Sequence, residues 1–297
     1  MRNAALVLFA SLVAALVPSP TFAWGIPVHR FMMERAIELL PPELAPFFVH
    51  FRDELVVRVV DPDMWRTAGW EDNPSHFLDF GAPEFGAFPF AALPREYGAA
   101  IEKFGMATLK RDGVLPWREA EEFGNLRRAF EAFRGNAVFA PGEVVLFAAV
   151  GAHYIQDAHQ PLHATNNFDG QLSGQHGIHA RFETALFERF QARLSIHPPP
   201  VRPITNARDT AFDVLLASYQ LVQPVLDADK AAVGGKETYD DEYFEKFFSS
   251  VKPVLERRIG ESIAATASFI VGAWEAAGTP AVKTETPRGV EKVRRPK

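Results

Sequence analysis

The stretch from His153 to Glu183 reads HYIQDAHQPLHATNNFDGQLSGQHGIHARFE and holds five of the nine histidines in a chain of 297 residues. Two His/carboxylate pairs stand four residues apart in it: His153 with Asp157, and His179 with Glu183. Residues at that spacing sit one above the other on a helix, so each pair can aim an imidazole and a carboxylate at one metal ion. His163 lies between the pairs in a proline-containing segment. Imidazole and carboxylate suit zinc, which takes three or four such ligands per ion, and the stretch is too rich for one ion. A multi-metal site is therefore expected. The alternative is a helix with a wet histidine face, and the periodicity opposes it. Leu146, Val150, His153 and Asp157 fall on one stripe at helical period. The apolar pair should face the core and carry the polar pair with it, and a buried carboxylate needs a partner or a metal.

Helical patterns dominate the rest of the chain. One helix is expected from His29 to Leu40, stopped by Pro41 and Pro42, and another over 43–60. A Pro/Gly/Phe-rich loop with exposed-looking aromatics is expected over 80–94, then helices over 96–110 and 117–134. Pro141 opens a central helix over 142–159, followed by a loop over 160–177 and a helix carrying His179 and Glu183 to about 195. HPPPVRP reads as an extended linker, with further helices over 206–228 and 240–277. Strand alternation is almost absent, so the expected fold is all-α: a single-domain helical bundle over 24–278 with metal ligands buried inside it.

Residues 1–23 read as a secretory signal peptide. Arg2 supplies the basic start, Ala4 to Val17 is an apolar run too short to span a membrane, and Ala23 sits at the expected cleavage point. A membrane-anchored N-terminal helix is the alternative. Cleavage leaves Trp24 at the N-terminus and implies a secreted or periplasmic protein. It takes the basic residues from 31 to 30 against 37 acidic ones, a poor footprint for broad nucleic-acid binding. With no cysteine, there is neither a disulfide nor a thiolate ligand. The tail over 279–297 carries six basic and two acidic residues without apolar period and reads as disordered.

Upstream of the central stretch stand Trp24 and His29 in WGIPVH, the acidic DPDMWR, and His76 in NPSHFLDF. The whole order is N-terminal Trp, His, Asp, His, HxxxD, PLH, HxxxE. That order resembles the zinc-dependent phospholipase C and single-strand-specific nuclease superfamily, over nearly all of residues 24–278. The resemblance implies three zinc ions at the base of a cleft in an all-α domain. The first would take Asp63, His76, His153 and Asp157; the second His163, His179 and Glu183; the third the amino and carbonyl groups of Trp24 with His29 and Asp157. It also implies a base role for Asp63, although Asp61 is open as the ligand in its place.

Zinc acidifies bound water and steadies a leaving oxygen, so the expected reaction is hydrolysis of a phosphate ester. HATNNFDG after PLH and the HxxxE ending resemble the phospholipase C branch, which is preferred. PSHFLDF resembles the nuclease branch, where an aromatic stacks on a base; Phe77 or Phe80 would serve, and either can equally be core. The expected partner is thus a phospholipid or a single-stranded nucleic acid, with no stable protein partner and a monomeric chain. A zinc-binding protein without turnover is the third reading. Specificity is expected in the 80–94 and 164–177 loops. His159 reads as a residue supporting the ligands, and His50 and His197 as surface or loop residues; His176 competes with His179 as a ligand, but only His179 has a carboxylate four residues on.

Overall fold

The computed structural model describes residues 24–285 except Glu71 and Glu237. The expected signal peptide and the tail beyond 285 lie outside the described residues. Thirteen α-helices follow in chain order, with no strand among the described residues. They are α1 (Ile26–Ile37), α2 (Ala45–His50), α3 (Arg52–Arg58), α4 (Asp61–Thr67), α5 (Tyr97–Phe104), α6 (Met106–Asp112), α7 (Leu115–Ala132), α8 (Ala140–Ala158), α9 (Ile178–Ala180), α10 (Leu186–Phe190), α11 (Ala207–Tyr219), α12 (Val222–Val233) and α13 (Asp241–Ala276). No helix among the described residues is long and apolar enough to cross a membrane.

The all-α fold is as expected, and α8 is its axis. Pro141 sits in its first turn, where a missing N–H costs nothing, and Pro161 follows its end. From Ala148 to Ala158 every residue is buried. That is the signature of a helix enclosed on all sides, and α1, α3, α7, α11 and α13 all pack on it. The close approach of α13 depends on Gly151: a Cβ there would stand 2.4 Å from the Phe269 ring. His153, Gln156 and Asp157 are therefore carried into the core by a helix that cannot turn its polar face to water.

Several expected helices are divided. The 43–60 segment breaks at Phe51 into α2 and α3. The 96–110 segment breaks at Gly105, whose φ of 81° no helix accommodates, and the second piece continues to Asp112. DPDMWR forms a helix of its own, α4. Between α9 and α10 the chain makes a π-turn, Arg181–Ala185, which starts two residues after His179.

The 80–94 segment is a correction. Phe80, Phe85 and Phe90 are buried, and only Phe88 is exposed. Phe80 and Phe90 stack at 4.6 Å between ring centroids, and the edge of Tyr219 meets Phe90 at 4.9 Å. These rings form a second, smaller core with Leu93, Leu109, Trp117 and Phe212. Side chains of an aperiodic segment converge only after the chain folds back on itself, so no period in the sequence announces it.

Residues 279–285 follow α13 without regular structure, and the Pro280 carbonyl accepts the Trp274 indole N–H at 2.9 Å.

Candidate metal centre

Seven elements deliver the expected ligands to one buried region. Helix α1 brings His29, α4 brings Asp63, and the 3-10 turn Asn73–His76 brings His76. Helix α8 brings His153 and Asp157, and the 3-10 turn Pro161–Ala164 brings His163. His179 on α9 and Glu183 in the π-turn complete the set. All eight side chains are buried. They form three groups, each tight enough to hold a cation: His29, His153 and Asp157; Asp63, His76 and His153; and His163, His179 and Glu183.

Asp157 lies between the groups. Its Oδ2 is 3.0 Å from His76 Nδ1 and 3.2 Å from His153 Nε2, while its Oδ1 is 3.3 Å from His29 Nε2. Burial opposes its charge, yet His153 and His163 beside it hold the carboxyl well below the usual range. On the far side of the site His179 Nε2 is 2.9 Å from Glu183 Oε2 and 3.2 Å from His163 Nε2. Burial drives His163 down to about 3, so its imidazole is neutral.

The donor set fits a cation, and the ring orientations carry the argument. Four histidines point Nδ1 at a fixed acceptor: His29 at Gln156 Oε1 (2.6 Å), His153 at Val59 O (2.8 Å), His163 at His76 O (2.7 Å) and His179 at Phe168 O (3.0 Å). Each Nδ1 must carry the proton to donate, which leaves Nε2 as a bare lone pair. Those lone pairs face carboxylate oxygens or one another. Such an arrangement is repulsive unless a proton or a metal ion stands between them. His29 Nε2, Asp63 Oδ2 and Asp157 Oδ1 are moreover buried without a hydrogen-bond partner.

Three supporting residues were not anticipated. Gln156 orients His29 through its side chain and accepts the Trp24 indole N–H on its carbonyl at 2.9 Å. Gln160 donates to Glu183 at 3.1 Å. Asp72 stands 3.3 Å from His76 Nε2 and accepts the Tyr154 hydroxyl at 2.7 Å, leaving His76 Nδ1 to face the cluster. The spacing of Asp72 and His76 is the same four-residue interval as the two recognised pairs, and could have been read in the sequence.

The remaining candidates separate clearly. Asp61 is half-buried and pairs with Arg58 at 3.4 Å, so Asp63 is the acid that α4 turns inward. Trp24 is fully buried, 6.0 Å from Phe182 between ring centroids. His159 turns away: its Nδ1 meets Ile155 O at 2.7 Å, and its carbonyl accepts from Arg258. His50, His176 and His197 are exposed.

A cleft of about 280 Å³ opens over His76, His163 and His179. Phe77, Asp79, Arg66, Arg111 and Phe168 line its walls. Phe77 therefore stands where a ligand would, whereas Phe80 does not line the cleft and takes the core role left open for it. Of the two loops expected to shape specificity, 164–177 contributes Phe168, and no residue of 80–94 is among the lining residues. Burial pushes the Asp79 carboxyl up to about 8, helped by the nearby Asp112 charge, and its Oδ1 has no partner. At neutral pH it offers a hydrogen-bond donor to whatever enters.

Compared with known proteins, the chain matches no family model and no curated relative. The fold and the donor sets define an all-α protein with three buried His/carboxylate groups able to hold metal ions.

Proposed function

We propose that the chain is an exported zinc-dependent phosphoesterase that holds three zinc ions. The observation that carries this reading is Asp157, which turns its two oxygens toward different histidines and so could serve two ions at once. Zinc is the metal best suited to a donor set of imidazole and carboxylate without thiolate. Asp63, His76, His153 and Asp157 would hold the first ion, and His163, His179 and Glu183 the second. His29, Asp157 and the main chain of Trp24 would hold the third. When bound, the ions supply Lewis acidity that polarises a phosphate ester and acidifies water.

The chain's own groups divide the remaining work. Asp63 keeps one buried oxygen without a partner, where it can accept a proton from an attacking water. Arg66, 3.4 Å from Asp63, and Arg111 bring positive charge to the cleft walls, where a phosphate would be oriented. Asp79 as a neutral carboxyl can donate to an ester oxygen. Buried His163 stays neutral and keeps its lone pair for a metal rather than for a proton.

A phospholipid is the preferred substrate. The HATNNFDG and HxxxE segments support it, as does a net charge of −6, which disfavours a polyanion. The alternative, a single-stranded nucleic acid, is favoured by one observation: Phe77 on the cleft wall, placed to stack on a base. One panel tests both readings, with phosphatidylcholine, single-stranded DNA, RNA and a chromogenic diester, each with and without a chelator. Chelator-sensitive release from phosphatidylcholine is expected. Hydrolysis of nucleic acid alone would replace that reading, and no hydrolysis of any substrate would leave a zinc-binding protein.

A further inference from the structure

The cleft over the histidines has a neighbour. A groove of about 770 Å³, in the range of small-molecule sites, is lined by two aromatic pairs. Trp65 and Trp70 lie 5.9 Å apart between ring centroids at 27°, and Tyr97 and Trp117 lie 5.2 Å apart at 40°. Trp117 is fixed by its indole N–H, which donates to the Arg95 carbonyl at 2.7 Å. Trp70 is 64% exposed. The face of an indole or phenol ring carries partial negative charge and attracts a cation.

The charged side chains act in the same direction. Asp72, Arg118 and Glu121 line the groove, two acids and one base. The base is not free to neutralise both acids. Arg118 pairs with Glu121 at 2.8 Å and with buried Glu122 at 3.2 Å. Asp72 accepts from the Tyr154 hydroxyl at 2.7 Å and faces His76 Nε2 at 3.3 Å, and the other nitrogen of that histidine faces Asp157. Burial opposes the charge of Asp72, yet His76, Tyr154 and Arg118 hold its carboxyl below the usual range. Burial pushes Glu122 upward; with Glu122 left out, two acids against one base still leave the lining one negative charge in excess.

We propose that the groove binds a small quaternary ammonium compound of the choline type, free in solution. A methylated nitrogen is bulky and has no N–H to satisfy, so ring faces and an excess negative charge are enough to hold it. A hydrated inorganic ion would need oxygen ligands in place of its water, which ring faces do not supply. A phosphate on the same molecule would meet Asp72 and Glu121 with no spare base beside it, so a phosphocholine group suits the groove less well than choline. The site lies outside the metal centre and does not rest on the reaction proposed there.

Ligand-observed NMR on the metal-loaded protein tests this through the methyl protons of the ligand. Choline would be titrated beside its uncharged tert-butyl isostere, and beside phosphocholine and arginine. Saturable choline binding in the millimolar range is expected, with the isostere about tenfold weaker. Trp70→Ala should weaken choline binding about tenfold, and Glu121→Gln should weaken it too. Neither should change metal content, because both side chains are exposed. The proposal is overturned if choline does not saturate, if the isostere binds as tightly, or if either variant leaves choline binding unchanged. It is overturned equally if arginine, or phosphocholine in a Trp70-dependent manner, binds more tightly than choline.

Discussion

Two regions of the candidate metal centre use the same device in different surroundings. His153 and Asp157 stand one turn apart on α8, in the middle of a helix buried on every side. His179 and Glu183 stand at the same interval, but across the junction of α9, three residues long, and a π-turn. The first pair inherits its rigidity from the core. The second has to import it, and the source is a buried network. Arg181 donates to the carbonyls of Gln175 and His176 at 3.2 and 2.7 Å, and meets Asp229 of α12 at 3.0 Å. Gln175 also donates to Asp229, at 2.7 Å, and the Tyr243 hydroxyl of α13 closes on the same carboxylate. A four-residue His/carboxylate interval thus defines what can bind a metal, while the packing around it sets how firmly.

The largest effect should come from Asp157. Its two oxygens face different histidines, so Asp157→Asn should lose metal from two positions and abolish hydrolysis, whereas His163→Ala should lose metal from one. Elemental analysis of the purified variants decides this; equal losses of one ion from both would remove Asp157 from its shared role.

The next effect concerns the α1 end of the α8 group. If the Trp24 amine is a ligand, it must be a free amine, since an amide lone pair is delocalised into its carbonyl. Protein beginning at Trp24 should carry one more zinc ion than protein beginning at Ala23, and hydrolyse faster. Identical metal content in the two forms would leave Trp24 as a packed aromatic only.

The α9 group is tested through its anchor. Asp229→Asn should weaken zinc binding at His163, His179 and Glu183 about 10–100-fold, with the α8 group unchanged. Because the anchor is a buried ion pair, a stability loss of about 3 kcal/mol is expected alongside it. Stepwise metal titration followed by native mass spectrometry separates the two groups, and a parallel loss of all ions would erase the contrast drawn between them.

The smallest effect is electrostatic. Asp79 has its folded pKa raised to about 8 from an ordinary value of 3.8. A raised carboxyl pKa contributes stability below the unfolded value and loses it as pH climbs through the folded one. Metal-free protein should therefore lose stability relative to Asp79→Asn as pH rises from about 4 to about 8. Denaturant unfolding at several pH values measures the difference, and parallel curves would show that Asp79 does not titrate in that window.

How much of this was legible beforehand varies with the range of the interaction concerned. The helical class, the central helix behind Pro141 and the histidine-rich stretch are all local patterns, repeated every three or four residues, and they survive into the structure. The exposed aromatics expected over 80–94 do not: Phe80, Phe85 and Phe90 are buried, and Phe80 and Phe90 pack on Tyr219, more than a hundred positions away. Asp72 is legible by its four-residue spacing to His76, whereas nothing local marks Asp79.

The amino-acid sequence by itself determined which groups are available to bind metal and which face of α8 they occupy, because helical period is a property of neighbours along the chain. Only the tertiary structure decided that Asp63 rather than Asp61 turns inward, that Phe77 rather than Phe80 reaches the cleft, and that Arg181 and Asp229 clamp the His179 segment. Those choices depend on contacts between distant elements. Each is settled by which of two nearby side chains can be buried with its partners satisfied, and that is known only once the elements have packed.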